Sequence, residues 1–374
     1  MDKKKIIIIS AINITNGGPH RILNECLDYS ISLLNKYKIF VLINNTKVVE
    51  KFNEYNKLIN FVEFPLSKKS WIFRVFYEYF YFKFFSRKYN VDIWFSLHDC
   101  SPFVKAKKQF VYCHNTDIFA KIRKNYFFQD PIFILRKIFY RFVYSINISS
   151  NHSVIVQQDW MRKEFYKKFK VKNIIVAQPN IKNSNIFEDV ISKPFNKKNE
   201  KIFFYPVYPR CFKNHEIICE ALNILEKEYS WKNKVIFTIK GDENKYAKWL
   251  WNKYKHLKSL EWKGVLQPKE NYQIFKRINF LLFTSTNESW GLPITEAKSL
   301  NIPIIVSDLP YAKETVGHYG KVNFIDPDNP VKLADLMFSI SKDEKISKTS
   351  SPKKILEPVA YNWKELFEYI CEDI

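Results

Sequence analysis

The sequence predicts an α/β protein built from two doubly wound parallel-sheet domains facing a cleft, and three observations predict it. Short β-branched and aromatic runs alternate with helix-length segments over most of the chain, the pattern of parallel strands joined by crossover helices. A length of 374 residues is too great for one comfortable hydrophobic core and suits two. The stretch Asn180–Lys201, rich in Asn, Lys and Ser and without strong periodicity, reads as a linker that divides the strands into two sets.

In order, the first set is expected at Lys5–Ala11, Lys38–Asn44, Phe61–Phe64, Asp92–Leu97, Phe110–Cys113, Ser153–Val156 and Ile174–Ala177. The second is expected at Lys201–Val207, Lys234–Lys240, Leu260–Trp262, Phe280–Thr284, Ile302–Val306 and Asn323–Ile325. Helices are expected at Arg21–Asn35, His215–Glu228, Lys245–Lys255 and Val331–Ser341, with the 3.6-residue period of one buried face. The domains are then residues 1–182 and 199–358, with 359–374 packing back on the first. No repeat at a solenoid period is present, so two open sheets are preferred. Ligands of such sheets bind beyond the carboxyl ends of the strands.

Composition narrows the function. The 60 Lys and Arg against 38 Asp and Glu give a formal charge of +22. Such an excess attracts nucleic acid, an anionic membrane face or phosphorylated ligands; a compositional bias toward Lys, Asn, Ile, Phe and Tyr explains part of it equally well. Cysteines 26, 100, 113, 211, 219 and 371 form no CxxC, so they read as reduced thiols of a cytoplasmic protein, outside any zinc or disulfide framework. Ile6–Ile9 is too short a run for a signal peptide, and no window approaches a membrane span. The aromatic segment Ser67–Lys88 with basic ends reads either as a buried domain helix or as a face docking on anionic lipid. Arg136–Tyr144 has the same character.

The most specific segment is Phe283-Thr-Ser-Thr-Asn-Glu288-Ser-Trp-Gly291-Leu-Pro293-Ile-Thr-Glu296-Ala. A strand ends, a polar loop follows, and Pro293 is expected at the first helical position. Amides around Ser289, Trp290, Gly291 and Leu292 would then lie at a helix N-terminus, where the dipole favours a phosphate. Glu288 and Glu296 flank them, and carboxylates accept bidentately from vicinal hydroxyls. The bland alternative is a polar loop and a dipole-stabilised glutamate.

This segment resembles the retaining GT-B glycosyltransferases grouped as family 4, through the E-x7-E signature of Glu288 and Glu296 with a G-L-P step between. Asn301-Ile-Pro303-Ile-Ile-Val306-Ser-Asp308 and Glu314-Thr-Val-Gly317 fit the family's next strand and turn. The resemblance extends more weakly over nearly the whole chain and implies two Rossmann-like domains. It also implies that Glu288 contacts the donor sugar, Glu296 the nucleotide ribose, and the amides between them the diphosphate.

Other residues align with that expectation. Tyr205-Pro-Val-Tyr-Pro-Arg210-Cys-Phe-Lys213-Asn214 follows a strand, and a guanidinium fork with an ammonium suits a pyrophosphate. It looks like the family's Arg/Lys diphosphate pair, although the usual gap is longer, which makes Lys213 the safer assignment. Trp262-Lys-Gly264-Val265 ends another strand, and by resemblance the Val265 backbone meets the base. Asn16-Gly17-Gly18-Pro19 lets backbone approach a ligand at a helix start but does not complete G-x-G-x-x-G. Tyr112-Cys-His114-Asn115-Thr-Asp117 offers His114 for the sugar, with Asn115 and Asp117 for the acceptor. By resemblance His114 lies near the reacting carbon; a histidine capping the strand end is the competing view, and His98-Asp99 shares that position. Asp326-Pro-Asp328 is D-x-D in form but reads as a turn and helix cap, so no metal and no cofactor are expected.

The expected activity is transfer of a hexose-type sugar, with retention, from a UDP- or GDP-sugar to a hydroxyl of a lipid-linked or oligosaccharide acceptor. His114, Glu288 and Lys213 are the expected catalytic residues, and surface polysaccharide (O-antigen or capsule) assembly is the setting. Nucleic acid is not an expected partner; peripheral attachment at the inner face of the cytoplasmic membrane stays open. The alternatives are a nucleotide-sugar epimerase of the same shape and a non-catalytic basic protein binding polyanions or membranes.

Overall fold

A computed structural model describes residues 4–15, 17–179, 200–343 and 354–372. The chain forms two compact units, residues 1–118 with 138–180 and 355–374, and residues 119–137 with 181–354. The expected linker Asn180–Lys201 and both boundary positions, 182 and 199, lie almost wholly outside the described residues. Residues 119–137 group with the second unit, although they precede the linker in sequence.

The first unit holds β1 (Lys5–Ala11), β2 (Tyr37–Ile43), β3 (Asn60–Glu63), β4 (Val91–Ser96), β5 (Ala106–Cys113), β6 (Ser153–Val156), β7 (Ile174–Ala177) and β14 (Val359–Ala360). All pair in parallel, in the order β14-β7-β6-β5-β4-β1-β2-β3. In β1, Ile7 and Ile9 join the core on one face, while Ile8 joins the core on the other. A strand covered on both faces needs an unbroken apolar run, which is what Ile6–Ile9 supplies. Helix Gly18–Ser30 turns Ile22, Leu23, Cys26 and Leu27 inward at three- and four-residue spacing. The C-terminal helix Trp363–Cys371 packs there too, with Phe367 stacked 5.4 Å from Tyr29.

The second unit holds β8 (Ile202–Tyr205), β9 (Lys234–Phe237), β10 (Leu260–Trp262), β11 (Phe280–Phe283), β12 (Ile304–Ser307) and β13 (Val322–Ile325). Their parallel order is β10-β9-β8-β11-β12-β13. Both sheets therefore reverse direction of winding once, between β1 and β4 and between β8 and β11. At such a reversal the loops beyond the strands splay to opposite faces and leave a crevice for a ligand. The loops at these crevices carry Gly17 and Gly18 after β1, His98 and Asp99 after β4, Arg210 and Lys213 after β8, and Glu288 after β11.

Among the described residues, no helix is long and apolar enough to cross a membrane. All six cysteines are free thiols, five of them buried.

Candidate active site

In the second unit, two loops meet at the reversal between β8 and β11. After β8 the chain makes one tight turn at Cys211–Lys213, then Asn214 adopts a left-handed conformation (φ 56°) to open helix His215–Glu228. Asparagine tolerates that region better than most residues. The turn is stitched to the loop after β11: the Thr286 amide donates to the Phe212 carbonyl at 2.7 Å, and the Thr284 hydroxyl to the Asn214 carbonyl at 3.1 Å. The Tyr205 hydroxyl, kept protonated by burial, donates to the Lys213 carbonyl. So anchored, Lys213 places its ammonium on the Glu288 carboxylate, both side chains mostly screened from solvent.

Glu288 leads into Gly291, whose left-handed backbone (φ 86°) caps helix Leu292–Ser299. A Cβ at Gly291 would lie 3.1 Å from Ile294 Cδ1 and 3.2 Å from Phe283 Cε1, so the turn closes against the core only without a side chain. Pro293 is the second helical residue, not the first as expected; either position lies in the first turn, where a missing N–H costs nothing. Trp290 is buried, its indole donating to Thr295 at 3.0 Å while its carbonyl accepts from Thr315. Its side chain thus braces the turn. Glu296 sits half-buried in the second turn, and Ser289 is half-buried beside Glu288.

Arg210 has extended backbone and pairs with buried Asp130 at 3.3 Å, its guanidinium 5.9 Å from the Tyr208 ring. The two predicted phosphate-binding cations thus have different resting partners, a carboxylate of the same unit for each. Asp130 escaped the sequence reading because it lies 80 residues from Arg210 and within no recognisable pattern. Val265 is exposed, following left-handed Gly264 beyond β10. Buried His215, beside Lys213, has neither ring nitrogen hydrogen-bonded, and burial pushes its pKa down to about 3, so it stays neutral. Asn329 caps helix Pro330–Ser341, Asp326 closes the turn before it, and Asp328 pairs with Arg123.

In the first unit, Asp99 organises the segment after β5. Its backbone is left-handed (φ 66°), which turns the carboxylate back toward the strand end. Oδ1 accepts from the amides of His114 at 2.8 Å and Asn115 at 2.9 Å and from the Tyr144 hydroxyl at 2.6 Å. Oδ2 lies 3.1 Å from His114 Nε2. Burial and the neighbouring carboxylate hold the Tyr144 phenol far above its ordinary pKa, so it remains a donor. With Nε2 protonated toward Asp99, His114 presents Nδ1 as its basic nitrogen, buried and without a hydrogen-bond partner. Asn115 accepts the Asp117 amide at 2.9 Å, and both are buried. The sequence placed His98-Asp99 at a strand end but gave no sign that Asp99 would orient His114.

Gly17 (φ 73°) precedes helix Gly18–Ser30, and a Cβ at either glycine would meet nothing within 4 Å. Packing does not demand glycine there. His98 faces Ser10 at 3.1 Å and Glu78 at 3.4 Å; burial holds it well below its ordinary pKa. Glu78, His98 and Cys100 bring ligand-type atoms within 4.8 Å of one another, but the Arg74 guanidinium already donates to Cys100 Sγ and the His98 carbonyl.

Residues 185–354 match the family described as glycosyl transferases group 1. No curated protein matches the chain in sequence. Among solved structures, the chain is similar to a glycosyltransferase from Rickettsia africae ESF-5, at 17% identity over 90% of this chain and 89% of that one, with a TM-score of 0.62. It is similar also to the lipopolysaccharide outer core galactosyltransferase WaaB in its apo form, at 13% identity over 99% and 100%, with a TM-score of 0.62. Anabaena Alr3699/HepE in complex with UDP and glucose matches at 13% identity over 91% of each chain, with a TM-score of 0.58. The chain has the GT-B fold, carries a glycosyltransferase group 1 domain in its second unit, and is a transferase of that type.

Proposed function

We propose that the protein transfers a hexose-type sugar, with retention of anomeric configuration, from a UDP- or GDP-sugar to a hydroxyl of a lipid-linked or oligosaccharide acceptor. The observation that carries this reading is the Lys213–Glu288 pair, held at the winding reversal of the second sheet beside a helix N-terminus. An arriving diphosphate competes with Glu288 for the ammonium. Lys213, Arg210 and the Gly291 turn then meet the charge that builds on the leaving oxygens, stabilisation of the oxyanion-hole kind. Glu288, released, accepts hydroxyls of the donor sugar, and Glu296 accepts from the ribose. His114, oriented by Asp99, offers Nδ1 to the donor sugar, with Asn115 and Asp117 on the acceptor side. No metal is assigned a part, because cationic side chains and backbone meet the phosphate charge.

UDP with glucose in the Anabaena relative, and galactosyl transfer to a lipopolysaccharide core by WaaB, support a nucleotide-sugar donor and a surface-glycan setting. Assembly of a bacterial surface polysaccharide such as O-antigen or capsule is the setting proposed.

The test is release of nucleoside diphosphate from UDP- and GDP-sugars with and without a lipid-linked acceptor. Acceptor-dependent release supports transfer. Sugar or epimer released equally without acceptor would assign an epimerase or hydrolase instead. Glu288→Gln should lower turnover while bare nucleotide still binds, whereas Glu296→Gln should weaken the nucleotide by about 1.5–3 kcal/mol, the range for hydrogen bonds to charged groups. Negligible effects of both would return the segment to a structural role.

A further inference from the structure

The aromatic segment after β3 sorts into two faces. A helix runs through Trp71–Phe76, a wide π turn at Tyr77–Tyr81, and Phe82–Tyr89. Arg74, Glu78, Tyr79, Phe82 and Ser86 are buried. The opposite face, spaced four residues apart, leaves Ile72 (78% exposed), Phe76, Phe80 (61%) and Phe84 (65%) in solvent. Residues 138–147 of helix Pro131–Asn147 belong to the same unit and lie alongside. Trp71 packs edge-on against Phe139, with ring centroids 3.8 Å apart, and the Tyr79 hydroxyl reaches the Val143 carbonyl at 3.5 Å. That second helix exposes Ile138 and Phe142, each 63%.

Ile72, Phe76, Phe80, Phe84, Ile138 and Phe142 together expose on the order of 900 Å² of largely apolar side chain, and exposed apolar groups gathered in this number mark an interaction surface. Its charges have one sign. Between residues 64 and 90 the only acid is Glu78, which is buried, while Lys68, Lys69, Lys83, Arg87 and Lys88 are exposed. Residues 138–147 add only Arg141, also exposed.

We propose that this two-helix face docks the protein on the surface of an anionic phospholipid bilayer, the exposed rings entering the headgroup layer and the lysines and arginines meeting lipid phosphates. The complementarity favours lipid over a second copy of the chain, which would bring the same unpaired cations against these. An interface of this kind combines apolar burial with attraction to acidic headgroups. It does not depend on how the donor site is read, because binding is measured without donor.

The test is flotation of the full chain with vesicles of phosphatidylcholine containing phosphatidylglycerol, against phosphatidylcholine alone. Wild type should partition onto the anionic vesicles and weaken at about 0.5 M salt, where screening shortens to a few ångströms. The Ile72→Ser/Phe76→Ser/Phe80→Ser variant and the separate Lys83→Glu/Arg87→Glu variant should each lower partitioning about tenfold or more. Both alter exposed side chains, so the thermal transition should not move, and the charge variant stands if the apolar one fails to fold. Three results would overturn the proposal: no flotation with anionic vesicles, partitioning untouched by both variants, or a dimer in solution that the apolar variant converts to monomer.

Discussion

Gly291→Ala isolates the turn on which the Glu288 loop depends. Gly291 has φ 86° and ψ 62°, and forcing an L-residue into the left-handed region costs about 1–2 kcal/mol. Its new methyl would press on Ile294 Cδ1 at 3.1 Å and Phe283 Cε1 at 3.2 Å. Both neighbours are fully buried, so yielding by a few tenths of an ångström adds about 1 kcal/mol of overpacking. Restricting the unfolded chain returns about 0.4–1 kcal/mol. The net loss is about 2 kcal/mol. Calorimetry should show a transition lowered by about 4–8 °C for a domain of this size, together with weaker nucleotide binding as the helix start shifts. Gly18→Ala is the control, since its backbone is ordinary and a Cβ there meets nothing within 4 Å. That variant should be as stable as wild type. Equal stability of Gly291→Ala and wild type, or an equal loss in both variants, would refute the reasoning.

Three further outcomes follow from the same geometry. Unfolded His215 takes up a proton near pH 6.5 and the buried ring only near pH 3, so the unfolded state binds more protons as pH falls and stability drops. Between pH 6.5 and 5 this loss is about 1.6 kcal/mol, and denaturation of His215→Phe across that window should lack it; an unchanged pH dependence would remove His215 as the cause. Asp99→Asn keeps an acceptor for the His114 and Asn115 amides but turns an amide donor toward Nε2, so kcat should fall about a hundredfold with KM for the donor little changed. A loss matched by falling thermal stability would mark Asp99 as structural only. Transfer activity measured after exhaustive chelation should survive EDTA, since Lys213 and Arg210 are proposed to meet the phosphate charge; complete loss restored by manganese would contradict that mechanism.

What the residues determined by themselves was local and strongly patterned. Ile6–Ile9, Phe280–Phe283 and Ile304–Val306 spell strands because a parallel strand covered on both faces needs apolar side chains on both. The two-unit α/β class followed from their alternation with helices, and the Glu288–Glu296 segment was legible because a loop, a glycine and a proline mark a helix start in consecutive residues. β14 was not legible, since Val359 and Ala360 become a strand only by pairing with Val176 and Ala177. Nor was the strand order that places Lys213 beside Glu288, 75 residues apart. The same holds for Asp99 orienting His114, Asp130 holding Arg210, and the division of 71–89 into a buried and an exposed face. In each case the deciding partner is distant in sequence. Local propensity sets backbone preference, whereas pairing, burial and charge at a site depend on which remote side chain the tertiary fold delivers.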